Sequence, residues 1–490
     1  MTMKKIISTL TAILFLTANA LAQEGSGYRT VQPALLQDLN INADINYAPV
    51  AMRQRIKSQE AESSSISVKT THAGELAELL GDRVTKIDEL HIAGPINAED
   101  FNTMWNSTFN GHLKVLDLGN ASVENGIIPD HALFHIDEQM DWSTLTVTTI
   151  ELEKLVLPDN ITEISDFAFA YAISLTEVNF PSSLRYIGKA AFTDCILLTA
   201  DKLQFGEYLE KIGVQTFFQC AGLTGPIHLP ESLQWIDSGA FYRCRITEIN
   251  IPKSLEYLGG DAFLGSRFKT AILPDDCYLS PQGGQFYNNW ELVEAHLPDN
   301  LTFVPQDVFC YCNALTTVNI PSKATEIGEF AFNNTAIESL EIPHSIEVIR
   351  DDAFQGCQKL TTIVLPPNLS VVGNNVFNQC YALKNIYCMA TEPPTCTEGT
   401  TGGANPFTSL STTLPIYIPI GSLDKYLSTP GWNYFTNFIE TDNFPSAGLE
   451  DVLSEQMEQD TNVYDLYGRK ANILVPGNIY IQHGKKFICK

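Results

Sequence analysis

Apolar positions in this chain fall on a beat. Between about residues 150 and 390 the phrase P-x-x-L-x-x-I-G-x-x-A-F-x-x-C-x-x-L-x-x-I-x-I returns in coil after coil. One clear copy runs through Pro343, Ile346, Ile349, Ala353, Phe354, Cys357, Leu360, Ile363 and Leu365. Its Phe recurs as Phe169, Phe192, Phe217, Phe241, Phe263, Phe286, Phe309, Phe332, Phe354 and Phe377, at intervals of 22 to 25 residues. The closing I-x-I alternates with period two, which predicts a short strand with one buried face. Pro158, Pro181, Pro252, Pro298, Pro321, Pro343 and Pro366 follow that strand, and a residue without an N–H ends a ladder. Gly188, Gly213, Gly259, Gly328 and Gly373 follow the L-x-x-I unit, which predicts a turn with positive φ. The Ala–Phe step predicts a short helical turn that points one small and one large side chain inward. One coil alone leaves its apolar set unpartnered; stacked coils bury it against each other. Each large apolar side chain so buried contributes roughly 1.5–3 kcal/mol before the entropy of ordering the chain is subtracted.

Two details qualify the beat. The slot three residues after the Phe holds Cys195, Cys220, Cys244, Cys312, Cys357 and Cys380, but Ser266, Asn289 and Thr335 in other coils. A slot that accepts all of these calls for a small, weakly polar side chain. It predicts a buried column of reduced thiols, although coils about 5 Å apart also allow the Cα spacing of a disulfide. Cys388 and Cys396 lie outside the slot and are the better disulfide candidates. The phrase also breaks once, over Asp275–Gln285, where Gly283 and Gly284 replace the L-x-x-I-G unit; a bulged coil is expected there.

The phrase closely resembles the bacterial BspA-like leucine-rich repeat family. The resemblance implies a mainly β (or α/β) solenoid: a curved array of parallel strands with short turns, capped at both ends. Residues 151–390 are the repeats proper. Residues 66–150 read as irregular N-terminal capping coils, with strands at Leu90–Ile92 and Leu116–Leu118 and a segment from Gly94 to Phe101 like the first coils of such arrays. Residues 391–445 resemble their closing segment.

The remaining segments lie outside the array. Residues 1–22 have the form of a secretory leader: Lys4 and Lys5, an apolar stretch Ile6–Leu16, and Ala20-Leu21-Ala22 before Gln23. No Cys follows the cleavage point, and no other stretch is long and apolar enough to span a bilayer. Residues 23–65 are expected to be a polar flexible tether. Residues 446–490 read as an acidic linker and a small β-domain. Val463–Lys470 and Gly477–Lys486 resemble the C-terminal sorting domain that some Gram-negative bacteria use for type IX secretion. Export to the cell surface or the medium is therefore expected.

Charge and chemistry narrow the functional classes. The formal net charge is −27, which disfavours nucleic acid and anionic membrane as partners. His131 and His135 have helical i, i+4 spacing, but no Glu beside His131 and no third ligand complete a zinc motif. There is no phosphate loop, dinucleotide fingerprint, G-x-S-x-G or calcium loop, so neither cofactor nor metal is assigned and no enzyme is expected.

A repeat array does align outward residues into columns. The third position of L-x-x-I reads Glu163, Tyr186, Lys211, Trp235, Tyr257, Phe303, Glu326, Val348 and Val371. Tyr186, Trp235, Tyr257 and Phe303 form an aromatic stripe with gaps at Lys211 and at the irregular coil. Aromatics of this kind serve as protein hot spots or sugar platforms, or simply cover their neighbours. The middle strand position reads Asn179, Asn250, Ile272, His296, Asn319, Glu341, Val364 and Tyr387, a mixed column that fits a broad binding face or an ordinary solvated sheet. The family resemblance implies adhesion to host matrix proteins or to other bacteria; glycan binding along the stripe is the alternative.

Overall fold

The computed structural model describes residues 64–134, 150–396 and 405–445, together with three strands near the C-terminus. The expected leader, nearly all of the tether, and His135 lie outside the described residues.

The chain winds as a solenoid of parallel strands with little helix. Many of the I-x-I segments pair from coil to coil as expected, in four separate sheets, while Val318–Ile320 and Leu340–Ile342 form no strand. Glu177–Val178 closes a five-stranded parallel sheet that starts at Ser65–Lys69 and includes Glu89–Ile96, Val115–Val123 and Lys154–Val156. Farther on, Glu248–Asn250 pairs with Pro226–His228, and Glu294–His296 with Thr270–Ile272. A second ladder lies beside the first, one not expected from the sequence pattern. The last two residues of L-x-x-I are themselves a strand in each coil, and seven of these, from Ile127–Ile128 to Tyr278–Leu279, form one parallel sheet. Five more, from Phe303–Val304 to Thr395–Cys396, form another. Two residues are enough for a ladder but too few to show period two.

The Ala–Phe step forms a third ladder. Phe169 donates its N–H to the Ala191 carbonyl at 2.9 Å, Phe217 to Ala240 at 2.8 Å and Phe332 to Ala353 at 2.8 Å. An N–H committed to the next coil cannot bond four residues back, so the expected helical turn does not form here. The chain bends through left-handed residues instead, two before and two after the Phe. Phe167 and Tyr171 flank Phe169, Asp307 and Tyr311 flank Phe309, and Asp352 and Gly356 flank Phe354, all with φ between 53° and 74°. The expected positive-φ glycines are not these. Gly188, Gly213, Gly259, Gly328 and Gly373 stay out of the left-handed region and are small for another reason. A Cβ on Gly188 would lie 2.7 Å from the Ser165 carbonyl carbon, and one on Gly328 2.6 Å from the Gln306 nitrogen. Here the backbones of adjacent coils approach too closely for any side chain.

The ten Phe rings are fully buried and stacked, with centroids 5.3–6.2 Å apart from Phe169 to Phe377. An eleventh ring, Phe407, continues the stack at 6.2 Å. Trp432 and Phe435, each 4.8 Å from Phe407, close it. Trp432 donates Nε1–H to Pro394 O at 2.9 Å and Tyr426 donates OH to Ala390 O at 2.7 Å, so the cap buries no unpaired indole or phenol. At the other end, Asn97 caps the helix Ala98–Phe109, and the Asp100 carboxylate accepts N–H bonds from Asn97, Gly74 and Leu76. Near the C-terminus Tyr464–Asp465, Ile479–Gln482 and Lys485–Ile488 form a small antiparallel sheet.

The Cys slot has a sharper rule than size. Cys220, Cys244, Cys312, Cys357 and Cys380 each point Sγ at the carbonyl of the Phe one coil back, at 3.0–3.1 Å, and Asn289 reaches the same acceptor at 2.8 Å. The slot therefore wants a small donor. All ten described cysteines are free thiols. That includes Cys388 and Cys396, which do not form the disulfide considered above: Cys388 lies on the I-x-I ladder and Cys396 on the L-x-x-I ladder, packed against Gly431. Burial pushes the Cys357 and Cys388 thiols up to about 11. Maleimide at pH 7.5 should leave the slot cysteines of the native chain unlabelled by mass spectrometry and label them in guanidinium. Rapid native labelling of Cys244 or Cys357 would refute the buried column.

Candidate binding surface

The L-x-x-I ladder sets the spacing of the aromatic stripe. Its parallel register places Trp235 opposite Tyr257 and Lys211, and Tyr257 opposite Tyr278. Each residue in the column precedes a buried Ile, Leu or Val, so it is held on the outer face of a rigid strand. Trp235 and Tyr257 stack at 4.1 Å, Tyr257 and Tyr278 at 6.1 Å, and Tyr278 meets Phe303 edge-on at 6.5 Å. Lys211, read from sequence as a gap, is a link: its Nζ lies 5.6 Å from the Tyr186 ring and 5.2 Å from the Trp235 ring, within cation–π range. Tyr278, which sequence reasoning missed, fills the second gap. The row is therefore continuous through Tyr186, Lys211, Trp235, Tyr257, Tyr278 and Phe303. Trp235 is 37% and Tyr278 49% exposed; the others are half-buried.

Tyr278 was hidden because the irregular coil does carry an insertion. Leu279 precedes Phe286 by two residues more than Leu258 precedes Phe263. Gly283 and Gly284 supply the positive φ there, where a Cβ would collide with Gln306 O or Asp261 Oδ1. The extra residues fold outward, so that Gln282 meets Ser238 two coils earlier at 3.4 Å, and the strand beneath keeps its register.

Carboxylates border the row. Glu163, Asp166 and Asp237 all lie close enough to Tyr186 to raise its phenol, after burial, above the usual tyrosine range. Asp237 Oδ2 is 4.0 Å from Lys211 Nζ. Farther along, Asp307, Glu329, Asp351 and Asp352 stand beside the Phe on successive coils. Burial, then the charge of Glu329, pushes the Asp307 carboxyl up to about 7. Burial, with Asp351 and Glu329 adding to it, takes Asp352 to about 6 despite a hydrogen bond from Asn375. A carboxyl raised in the folded state holds its proton where the unfolded chain has lost it. Its contribution to stability is complete below about pH 4 and disappears as pH rises through 6 and 7. The melting temperature should therefore fall from pH 5.5 to pH 8. Asp307→Asn, which keeps a side chain suited to positive φ, should flatten that fall; an unchanged slope would contradict the assignment.

The second column is less available than its sequence implies. Asn179, Asn250 and Asn319 each use their side-chain amide on both backbone groups of the Leu one coil back. Asn250 Oδ1 accepts from Leu229 N at 2.8 Å while its Nδ2 donates to Leu229 O at 2.9 Å. Asn179 does the same to Leu157, and Asn319 to Leu297. These amides extend the ladder at the point where the following Pro prevents the backbone from doing so. Val364 is buried rather than outward. Tyr387 stacks on Tyr417 at 4.3 Å. Ile272 and Glu341 are exposed, and His296 is half-buried. His131 is packed against Phe167, with ring centroids 5.0 Å apart. Among the described residues no helix is long and apolar enough to cross a membrane.

Comparison with known protein families agrees with this architecture. The model of a family described as the BspA type leucine rich repeat region matches in six copies, over residues 147–276 and 282–392. The break between the two stretches falls on the irregular coil. No curated protein matches the chain. Among solved structures, a leucine-rich repeat protein from Bacteroides ovatus is 22% identical, covers 66% of this chain and 87% of its own, and gives a TM-score of 0.46. A leucine rich cell surface protein from Faecalibacterium prausnitzii is 20% identical, with 60% and 80% covered and a TM-score of 0.36. The pneumococcal vaccine antigen PcpA is 17% identical, with 67% and 87% covered and a TM-score of 0.41. Through the repeats at 147–276 and 282–392, the chain belongs to the BspA type leucine rich repeat family.

Proposed function

We propose that this is an exported, non-enzymatic adhesion protein that binds proteins of a host matrix or of neighbouring cells. The observation that carries the reading is the continuous row of Tyr186, Lys211, Trp235, Tyr257 and Tyr278 on one rigid ladder, continued by Phe303 at the start of the next. Partly exposed aromatic side chains fixed in place lose little entropy on binding and suit the role of hot spots. The carboxylates around Tyr186 and the net charge of −27 favour a partner surface of positive potential. In this reading residues 1–22 direct export, and the small sheet near the C-terminus belongs to a sorting tail.

Face-to-face stacking favours protein over glycan. A sugar platform needs open ring faces, whereas the facing sides of Trp235 and Tyr257 lie against each other at 4.1 Å. The mature chain, immobilised and exposed to matrix extracts and bacterial surface proteins, should retain protein partners. Trp235→Ala combined with Tyr278→Ala should weaken that retention at least ~30-fold without changing the melting curve by more than a few degrees. Retention equal to wild type would sink the surface assignment, and a positive glycan array lost in the same variant would favour the alternative.

A further inference from the structure

Three metal-ligating side chains from two adjacent coils converge at the end of the I-x-I ladder. Asp275 follows Pro274 after the strand Thr270–Ile272. His296 ends the strand Glu294–His296, and Asp299 follows Pro298. The strands pair with Ile272 opposite His296, and the Leu273 N–H continues the ladder to the His296 carbonyl at 3.1 Å. Each Asp is thus preceded by a proline of fixed φ and joined to the other coil by ladder bonds. His296 Nε2 lies 3.9 Å from Asp275 Oδ1 and 3.8 Å from Asp299 Oδ1, and the three atoms all fall within 4.8 Å of one another. A third coil contributes support: Asn319, anchored to both backbone groups of Leu297, donates Nδ2–H to Asp299 Oδ1 at 3.3 Å. Among the described residues neither Asp275 nor Asp299 pairs with a lysine or arginine. The nearest cation in the column after the prolines is Lys253, one coil before Asp275.

We propose that Asp275, His296 and Asp299 bind a divalent transition-metal ion of the zinc class, with Asn319 positioning Asp299. One imidazole nitrogen and two carboxylate oxygens suit zinc, nickel or copper, whereas calcium and magnesium prefer all-oxygen shells. Metal bonds of about 2.0–2.2 Å place neighbouring donors roughly 3.3 Å apart, so side-chain rotations of less than about 1 Å close the set. Two carboxylates held one coil apart repel each other, and a dication between them removes that repulsion. Three protein ligands leave coordination positions open to water or to a donor from a bound partner.

The test is calorimetric titration of the untagged mature chain with zinc chloride, repeated with cobalt to read its visible absorption bands. One equivalent of zinc should bind saturably. His296→Ala and Asp299→Asn should each weaken binding at least ~10-fold and remove the cobalt bands, while His228→Ala, an exposed histidine on an earlier coil, should change neither. Asp299 and His228 are exposed and His296 is half-buried, and a melting curve on each of the three variants checks its fold. No saturable zinc binding, or binding that survives His296→Ala, overturns the site. Equal competition by calcium overturns the metal class.

Discussion

Replacing Phe241 by Ala is expected to destabilise the array by about 3–5 kcal/mol, read as a large fall in the urea midpoint. The ring is fully buried and stacks on Phe217 at 5.3 Å and on Phe263 at 5.5 Å. The Phe241 backbone N–H is committed to Ala262 O at 2.8 Å, so the coils cannot easily close over the cavity left by the ring. In a solenoid each coil is stabilised by its neighbours, so one cavity weakens two interfaces at once. The transition should broaden as the halves on either side of Phe241 begin to unfold separately. Phe241→Leu should lose a fraction of this, and Tyr381→Ala, at a largely exposed ring, close to nothing. A wild-type midpoint for Phe241→Ala would mean that the ring stack is not the core.

Gly259→Ala should be nearly as damaging, at about 3 kcal/mol, the upper end of the usual range for an added core methyl, because the obstacle is backbone. The new Cβ would lie 2.5 Å from the Asp237 carbonyl carbon and 2.7 Å from Ser238 Cα, and would also meet the Ser238 nitrogen. The coil carrying Trp235 and the coil carrying Tyr257 would have to separate. Gly421→Ala provides the contrast. Gly421 has φ of 82° and nothing within 4 Å of an added Cβ, so only backbone strain of about 1 kcal/mol is expected. Urea denaturation of both variants separates the two roles of glycine. If Gly421→Ala were the more harmful, close approach between coils would not be what selects glycine after L-x-x-I.

What the sequence made legible is whatever recurs as a residue type. Phe, the slot cysteines, the prolines and the I-x-I strands repeat by identity and could be read as coils. The left-handed positions could not, because Ala190, Gln215, Asp261, Phe330 and Asn375 share a backbone conformation and nothing else. The ladder bond made by each Phe imposes that conformation, and tertiary hydrogen bonds leave no mark in the side chains. Glycine was visible, but its cause was misread, since close approach and positive φ select the same residue. Tyr278 escaped because two inserted residues moved it out of phase, although its strand kept register. The aromatic row was thus legible in Tyr186, Trp235, Tyr257 and Phe303 and incomplete without Lys211 and Tyr278. Asn179, Asn250 and Asn319 were correctly placed in a column, but their work for the Leu backbone one coil back appears only in three dimensions. The cluster of Asp275, His296 and Asp299 was out of reach for the same reason: Asp275 lies about one beat before the other two and meets them across coils.

The most direct test of the proposed surface is hydroxyl-radical footprinting of the mature protein, free and bound to a partner captured from matrix or bacterial surface. Oxidation of Trp235, Tyr257 and Tyr278 is expected to fall sharply in the complex while Trp290 and Tyr381, also exposed, stay unchanged. Protection of Trp290 and Tyr381 with none at Trp235 and Tyr278 would place the contact on another face and contradict the proposed surface.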